Sequence, residues 1–377
     1  MDKEGNDTIV KDLVLVFLNS YRKNKRKKNM YEYSKIVEPL LAWYDENGRQ
    51  LPWRSNPTPY YVWVSEIMLQ QTRVEAVKGY FKRFIEELPT IEALAKATED
   101  KLLKLWEGLG YYNRVRNMQQ AAITVMEEYE GELPKDYNTL LTLKGIGSYT
   151  AGAIVSIAYG QQRPAVDGNV LRVMKRLAGS YDDILKASVK TDMERQLLPV
   201  VPKRAGAFNQ AIMDLGAMVC IPNGAPLCKQ CPLAQYCQAN QKQIQMELPV
   251  KTRKKTRRIE EKTILLLEYQ GKYALHKRPK KGLLAGLWEL PSVNGTCSRE
   301  EICSILENAG RNMEIQELGP AKHIFSHVEW SMVGYRVTLV EPLLTEEDYV
   351  WVTAEELENE YAVPTAFSFY AKEIRNG

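Results

Sequence analysis

Long apolar runs are missing from this sequence. The most apolar stretch near the N-terminus, Val14 to Leu18, is far below the roughly 20 residues that a helix needs to span a bilayer. The chain opens with acidic rather than basic residues, so no export signal is expected. Internal repeats are absent as well, which excludes a solenoid or propeller. Cysteine is scarce and unevenly spread: of six, four fall between Cys220 and Cys237, while Cys297 and Cys303 lie far away. That distribution argues against a disulfide framework and for metal binding in a reducing compartment, so the cytoplasm is the expected location. A large excess of one charge is also lacking; a net charge of +4 permits nucleic acid as a partner without establishing it.

With 45% hydrophobic and 26% charged residues, the composition is that of an ordinary globular protein, which excludes a disordered or collagen-like chain. At 377 residues it exceeds the size at which one core stops growing, so two domains are expected. Residues 1–30 read as an extension ending in the basic run Arg22 to Lys28, to which no specific job is assigned. Residues 31–245 carry a helical pattern, with Val115, Met118, Ala122, Val125, Met126 and Tyr129 on one face at a 3.6-residue period. Thr58-Pro59 and Thr98 have the form of helix starts. Residues 246–262, with the second basic run Lys251 to Arg258, read as a linker. In 263–377 the texture is α+β: Ile264 to Tyr269 and Tyr273 to Arg278 flank a Gln-Gly turn like a hairpin, Val333 to Val340 alternates like a strand, and Thr353 caps a helix.

Four groups of residues carry candidate chemistry. In Leu143-Lys144-Gly145-Ile146-Gly147-Ser148-Tyr149, two glycines bracket one apolar residue between helical stretches. Such a hairpin lets backbone N–H groups and the next helix's positive end approach a phosphate; taken alone, a simple connector fits equally well. Twenty residues after Gly147, Asp167 stands in the turn Val166-Asp167-Gly168-Asn169-Val170, where an N-cap is the ordinary role of such a residue. Glu66 lies on the helix Val62 to Leu69 among Val62, Trp63, Ile67 and Leu69. An unpaired carboxylate there is costly to bury and its pKa rises, which favours a proton donor. Finally, Cys220, Cys228, Cys231 and Cys237 form C-x7-C-x2-C-x5-C. Structural zinc usually draws on two separated C-x-x-C pairs and only one is present, so a 4Fe-4S cluster is favoured over zinc.

The hairpin, the Gly/Asp turn and the four-cysteine loop together resemble the endonuclease III superfamily of helix-hairpin-helix DNA glycosylases, and within it the MutY family of adenine DNA glycosylases. The matching words are Leu51-Pro52-Trp53-Arg54, Ser65-Glu66-Ile67-Met68-Leu69-Gln70-Gln71-Thr72, Gly108-Leu109-Gly110-Tyr111-Tyr112, Val166 to Val170, and Phe325-Ser326-His327, spread over roughly residues 35–370. The resemblance implies a multidomain chain. An all-α helix-hairpin-helix glycosylase domain (31–245) would contain the cluster loop 220–237, and a C-terminal α+β Nudix-like lesion-recognition domain (263–377) would follow. Gly286-Leu287-Trp288-Glu289-Leu290-Pro291 resembles the Nudix strand, but Ser298-Arg299-Glu300-Glu301 lacks the spaced glutamates that hold Mg2+.

The family's activity would be removal of adenine opposite 8-oxoguanine or guanine in double-stranded DNA, by a monomeric, nucleoid-associated enzyme. Glu66 would protonate the adenine at N7, and Asp167 would stabilise the oxocarbenium-like sugar, with Tyr149 and Asn169 orienting the pair. Tyr149 occupies the position of the lysine that forms a Schiff base in bifunctional relatives, so strand cleavage is expected to be weak or absent. Gln71 and Tyr111 are nominated for insertion into the duplex, Arg49 and Arg54 for contacts near the flipped nucleotide, Gly145 and Gly147 for phosphate binding, and Phe325, Ser326 and His327 for lesion recognition. Two departures stand out: seven residues, not the usual six, separate Cys220 from Cys228, and Lys144 replaces a common proline. The competing readings are a bifunctional pyrimidine glycosylase/lyase of the endonuclease III type and a non-catalytic DNA-binding protein.

Overall fold

A computed structural model of the chain describes residues 31–252, 256–307, 313–340 and 349–376. The extension 1–30 with its basic run, and residues 253–255 of the second run, lie outside the described residues. The chain forms two compact units, one made of Met1–Arg49 with Gly160–Thr252, the other of Gln50–Tyr159 with Arg253–Gly377. Among the described residues no helix is long and apolar enough to cross a membrane.

The first unit is helical, built from Val37–Asn47, Gly168–Leu177, Ala187–Leu197 and Ala205–Met218 around a core that includes Leu40, Val170, Met174, Phe208 and Leu215. Its central helix, Gly168–Leu177, is buried from Val170 onward, including the cations Arg172, Lys175 and Arg176. Buried cations require partners, and each has one. Arg172 donates to the carbonyls of Gly216 (2.7 Å) and Cys220 (3.0 Å), Arg176 to Leu248 (2.8 Å) and Ile221 (2.9 Å), and Lys175 to Asp182 (2.7 Å).

In the second unit the helices start where their caps stand. Thr58 accepts from the Tyr61 N–H ahead of Pro59–Leu69, and Thr98 from the Lys101 N–H ahead of Glu99–Leu105. Asn113–Glu128 buries Val115, Met118, Ala122 and Val125 of the stripe read from the sequence, while Met126 and the C-cap Tyr129 are partly buried against the same core. Tyr137–Thr142 and Ser148–Ile157 flank the glycine hairpin, and the latter packs on Pro59–Leu69.

The remainder of this unit packs the helices Arg299–Glu307, Ala354–Asn359 and Ser368–Asn376 on a seven-stranded sheet of β1 (Arg258–Tyr269), β2 (Lys272–Lys277), β3 (Trp288–Glu289), β4 (Ser292–Asn294), β5 (Met313–Ile324), β6 (Val328–Leu339) and β7 (Tyr349–Val352). Among the described residues only β1 and β6 run parallel; the other pairings are antiparallel. The Gln-Gly hairpin is present, with φ of 48° at Gln270 and 75° at Gly271, the positive values that a two-residue turn demands. β6 starts five residues before the alternating stretch, and Thr353 forms a complete capping box with Glu356. Alternate residues of β1 face opposite layers: Ile264 and Leu266 pack with Phe367 and Tyr370, whereas Leu265 and Leu267 pack with Ile302 and Leu306. Leu287 and Ala362, from segments beside the sheet, are buried in the core of the Gln50–Tyr159 helices. Polar ties reinforce it: Glu107 accepts from the Val363 N–H (2.9 Å), and Arg116 donates to the Ala285 carbonyl (2.6 Å).

Candidate active site

Glu66 is 5% exposed on a helix whose neighbouring residues Val62, Trp63, Val64, Ile67 and Met68 are also buried. A helix apolar on nearly every face is a core helix, and its single carboxylate needs a partner. Tyr149 supplies one, donating its hydroxyl to Glu66 Oε2. Tyr149 arrives there because Leu143 and Ile146 anchor the hairpin in the core and Gly147 starts the helix that carries it. Gly145 has φ +82°, and a Cβ would meet Asn117 Cβ at 2.9 Å, so both backbone shape and space demand glycine. Lys144, Gly145 and Gly147 are exposed, leaving the hairpin open to solvent.

In the other unit, Asp167 caps the Gly168–Leu177 helix, accepting from the Val170 N–H at 2.7 Å and from Asn169 Nδ2 at 2.8 Å. The ordinary cap role is therefore present, and it fixes the orientation of the carboxylate. Burial pushes the Asp167 carboxyl above the usual aspartate range, against the opposing pull of these hydrogen bonds. Asn169 Oδ1 in turn accepts from Arg172 (3.0 Å), whose other donors hold the Gly216 and Cys220 carbonyls. In sequence Arg172 is one more basic residue of an amphipathic helix, and only its burial reveals the link. Arg49 pairs with Asp214, a fully buried carboxylate: Nη2 (2.6 Å) and Nε (2.8 Å) both reach Oδ1, and the Arg49 backbone N–H donates to Oδ2 (2.9 Å). Arg54 is half-buried in the short helix Pro52–Ser55.

Gln71 is exposed directly after the Glu66 helix, and Tyr111 is 50% exposed in the Gly108–Tyr112 turn. Both have left-handed backbones, φ 61° and 48°. Arg114, which the sequence reading missed, bonds to the carbonyls of both loops.

The four cysteine thiols line one apolar cavity together with Val173, Leu177, Leu215 and Leu233. Arg176 donates to Cys220 Sγ at 3.4 Å, and burial pushes the Cys231 thiol up to about 12. Among the described residues no three side chains are gathered closely enough to hold a single metal ion. Between Cys220 and Cys228 the chain makes an exposed turn at Asn223 and Gly224, closed at its base by Leu227 N–H to the Val219 carbonyl (2.9 Å).

Phe325, Ser326 and His327 form the tip of the β5–β6 hairpin. Phe325 packs between His323 and Trp330, with ring centroids 4.5 and 4.9 Å away, while Ser326 and His327 are exposed. The tip lines a cavity of about 690 Å3, and so do Tyr111, Arg114, Asn117, and Gly282 to Ala285. Residues more than 200 positions apart in sequence thus share one cavity within the same unit.

Residues 64–199 match the HhH-GPD superfamily base excision DNA repair protein family, and residues 263–372 match the NUDIX domain family. The adenine DNA glycosylase of Homo sapiens is 36% identical over 406 residues, covering 90% of this chain and 74% of its own length. That of Rattus norvegicus is 36% identical over 392 residues, covering 87% of this chain and 75% of its own. The adenine DNA glycosylase of Buchnera aphidicola subsp. Schizaphis graminum is 36% identical over 265 residues, covering 70% and 75%. The chain is a DNA N-glycosylase of base excision repair, with a helical HhH-GPD domain and a NUDIX-like domain, and it belongs to the MutY family of adenine DNA glycosylases.

Proposed function

We propose that the enzyme excises adenine mispaired with 8-oxoguanine, and with guanine less efficiently, leaving an abasic site in an uncut strand. The observation that carries this reading is the cavity shared by Tyr111 and the exposed pair Ser326 and His327. 8-Oxoguanine differs from guanine by an N7–H donor and an 8-oxo acceptor. A hydroxyl and an imidazole can each donate or accept, so together they can read both changes. Phe325, held between two aromatic rings, supports the hairpin tip rather than projecting from it.

Glu66 is the general acid, protonating adenine at N7 so that the C1′–N9 bond breaks with a neutral leaving group, and it then helps to activate the incoming water. Tyr149 holds its carboxylate as the proton leaves. Asp167 stabilises the positive sugar, oriented by Val170 N–H and Asn169. Tyr149 has no amine with which to form a Schiff base, which supports the monofunctional outcome. Gln71 and Tyr111 enter the duplex, Gly145 and Gly147 with Lys144 bind a phosphate, and Arg49 and Arg54 lie near the extruded nucleotide.

Cys220, Cys228, Cys231 and Cys237 fit a 4Fe-4S cluster, because thiols spread around an apolar cavity suit a group with iron at several corners better than one ion. A bound cluster would tie the 220–237 loop to itself through its four thiolates, beside Val173, Arg176 and Leu177 of the Gly168–Leu177 helix, which line the same cavity. The working protein is a nucleoid-associated monomer of the cytoplasm. Ser326→Ala combined with His327→Ala tests the reading: the rate on 8-oxoguanine:adenine is expected to fall far more than that on guanine:adenine. Equal losses on both duplexes, or none, would move lesion recognition elsewhere.

A further inference from the structure

One guanidinium holds two loops of the second unit. Arg114, near the start of the Asn113–Glu128 helix, donates through Nη1 to the carbonyls of Ile67 (2.7 Å), Met68 (3.2 Å) and Gln70 (2.7 Å). Through Nη2 it donates to Leu109 and Gly110, both at 3.0 Å. The first set belongs to the C-terminal end of the helix that carries Glu66, where carbonyls lack helical partners and a cation is favoured. The second belongs to the turn before Tyr111, and the guanidinium carbon lies 5.7 Å from the Tyr111 ring centroid and 5.3 Å from that of Trp106. Gln71 and Tyr111, each one residue beyond a clamped carbonyl, have positive φ, a conformation that side-chain-bearing residues keep only when their surroundings impose it.

We propose that Arg114 is a positioning residue that locks the Gln71 and Tyr111 loops into one rigid two-pronged wedge, so that both enter the duplex together. The inference rests on the proposed insertion of Gln71 and Tyr111. An arginine is needed because its planar fork presents donors to two loops on separate edges; a lysine ammonium of the same charge reaches one loop at a time. Burial draws the guanidinium down to about 10, which leaves it charged at neutral pH.

The test uses the full chain and two single variants, Arg114→Lys and Arg114→Gln, each also combined with Gln71→Ala plus Tyr111→Ala. Single-turnover adenine excision is measured together with fluorescence of a 2-aminopurine beside the mispair, which reports unstacking. Each single variant is expected to fold with a melting temperature near wild type, lose about 10- to 100-fold in excision rate, and show a weaker fluorescence rise. In the Gln71/Tyr111 alanine background, losing Arg114 is expected to cost less than twofold further, because the wedge it positions is gone. Equal cost in both backgrounds, an unchanged rate, or unfolding of both variants would overturn the proposal and leave Arg114 a cap of the core. If the Gln71/Tyr111 alanine pair itself changed neither rate nor fluorescence, the insertion reading would fail, whatever Arg114 did.

Discussion

Tyr149→Phe keeps the ring and removes one oxygen, the one that donates to Glu66 Oε2. Nothing else near Glu66 need change, since Val62, Trp63 and Ile67 remain packed around it. The lost interaction matters most as Glu66 gives up its proton, because a carboxylate then forms where only 5% of the residue meets water. A hydrogen bond to a charged group is worth about 1.5–3 kcal/mol. At about 1.4 kcal/mol per factor of ten, that corresponds to a rate lower by roughly 10- to 150-fold. The assay is single-turnover excision with rapid quenching and alkaline cleavage of the abasic product, alongside equilibrium binding to an uncleavable mispaired duplex. Binding is expected to stay within about threefold of wild type. A rate within twofold of wild type would refute the role assigned to this hydroxyl. A normal rate with weakened binding would make Tyr149 a DNA contact instead.

Asp167→Asn is expected to abolish excision yet raise the melting temperature at pH 7.5. Burial holds the carboxyl above its usual range, so the ionised group is less favoured folded than unfolded, and stability is lost as pH rises through the folded value. Scanning fluorimetry from neutral pH down towards the ordinary aspartate range should therefore show the variant's advantage shrinking as pH falls, and an advantage that grew with acid would contradict the sign. Purified protein should be yellow-brown, with broad absorption near 400 nm that alanine at Cys231 or Cys237 removes; a colourless, fully active protein containing one zinc would exclude the cluster.

Much of this site was legible because its residue types are unusual in their settings. A glutamate inside an apolar helix, two glycines around one isoleucine and four cysteines within eighteen residues each stand out from ordinary helical sequence. The hairpin at Gln270-Gly271 and the capping box at Thr353 are local devices, so they too could be read directly. Long-range partnerships could not. Arg114 and Arg172 look like exposed helix cations in sequence, and their roles depend on the carbonyls of Ile67, Gly216 and Cys220, more than 40 residues away. The pairing of β1 with β6 in parallel is equally invisible, because alternation reveals a strand but not its neighbour. The seating of Phe325 between His323 and Trp330 likewise depends on cross-strand packing, which a tripeptide does not encode.

The most direct test of the central claim is to incubate wild-type enzyme with matched duplexes carrying adenine opposite 8-oxoguanine, guanine, cytosine or thymine, and to identify both the released base and the state of the strand. The expected result is free adenine released fastest opposite 8-oxoguanine and more slowly opposite guanine, with none opposite thymine. The strand should break only after alkali, and borohydride should trap no covalent adduct. Release of a pyrimidine, strand cleavage without alkali, or equal rates opposite 8-oxoguanine and thymine would contradict it.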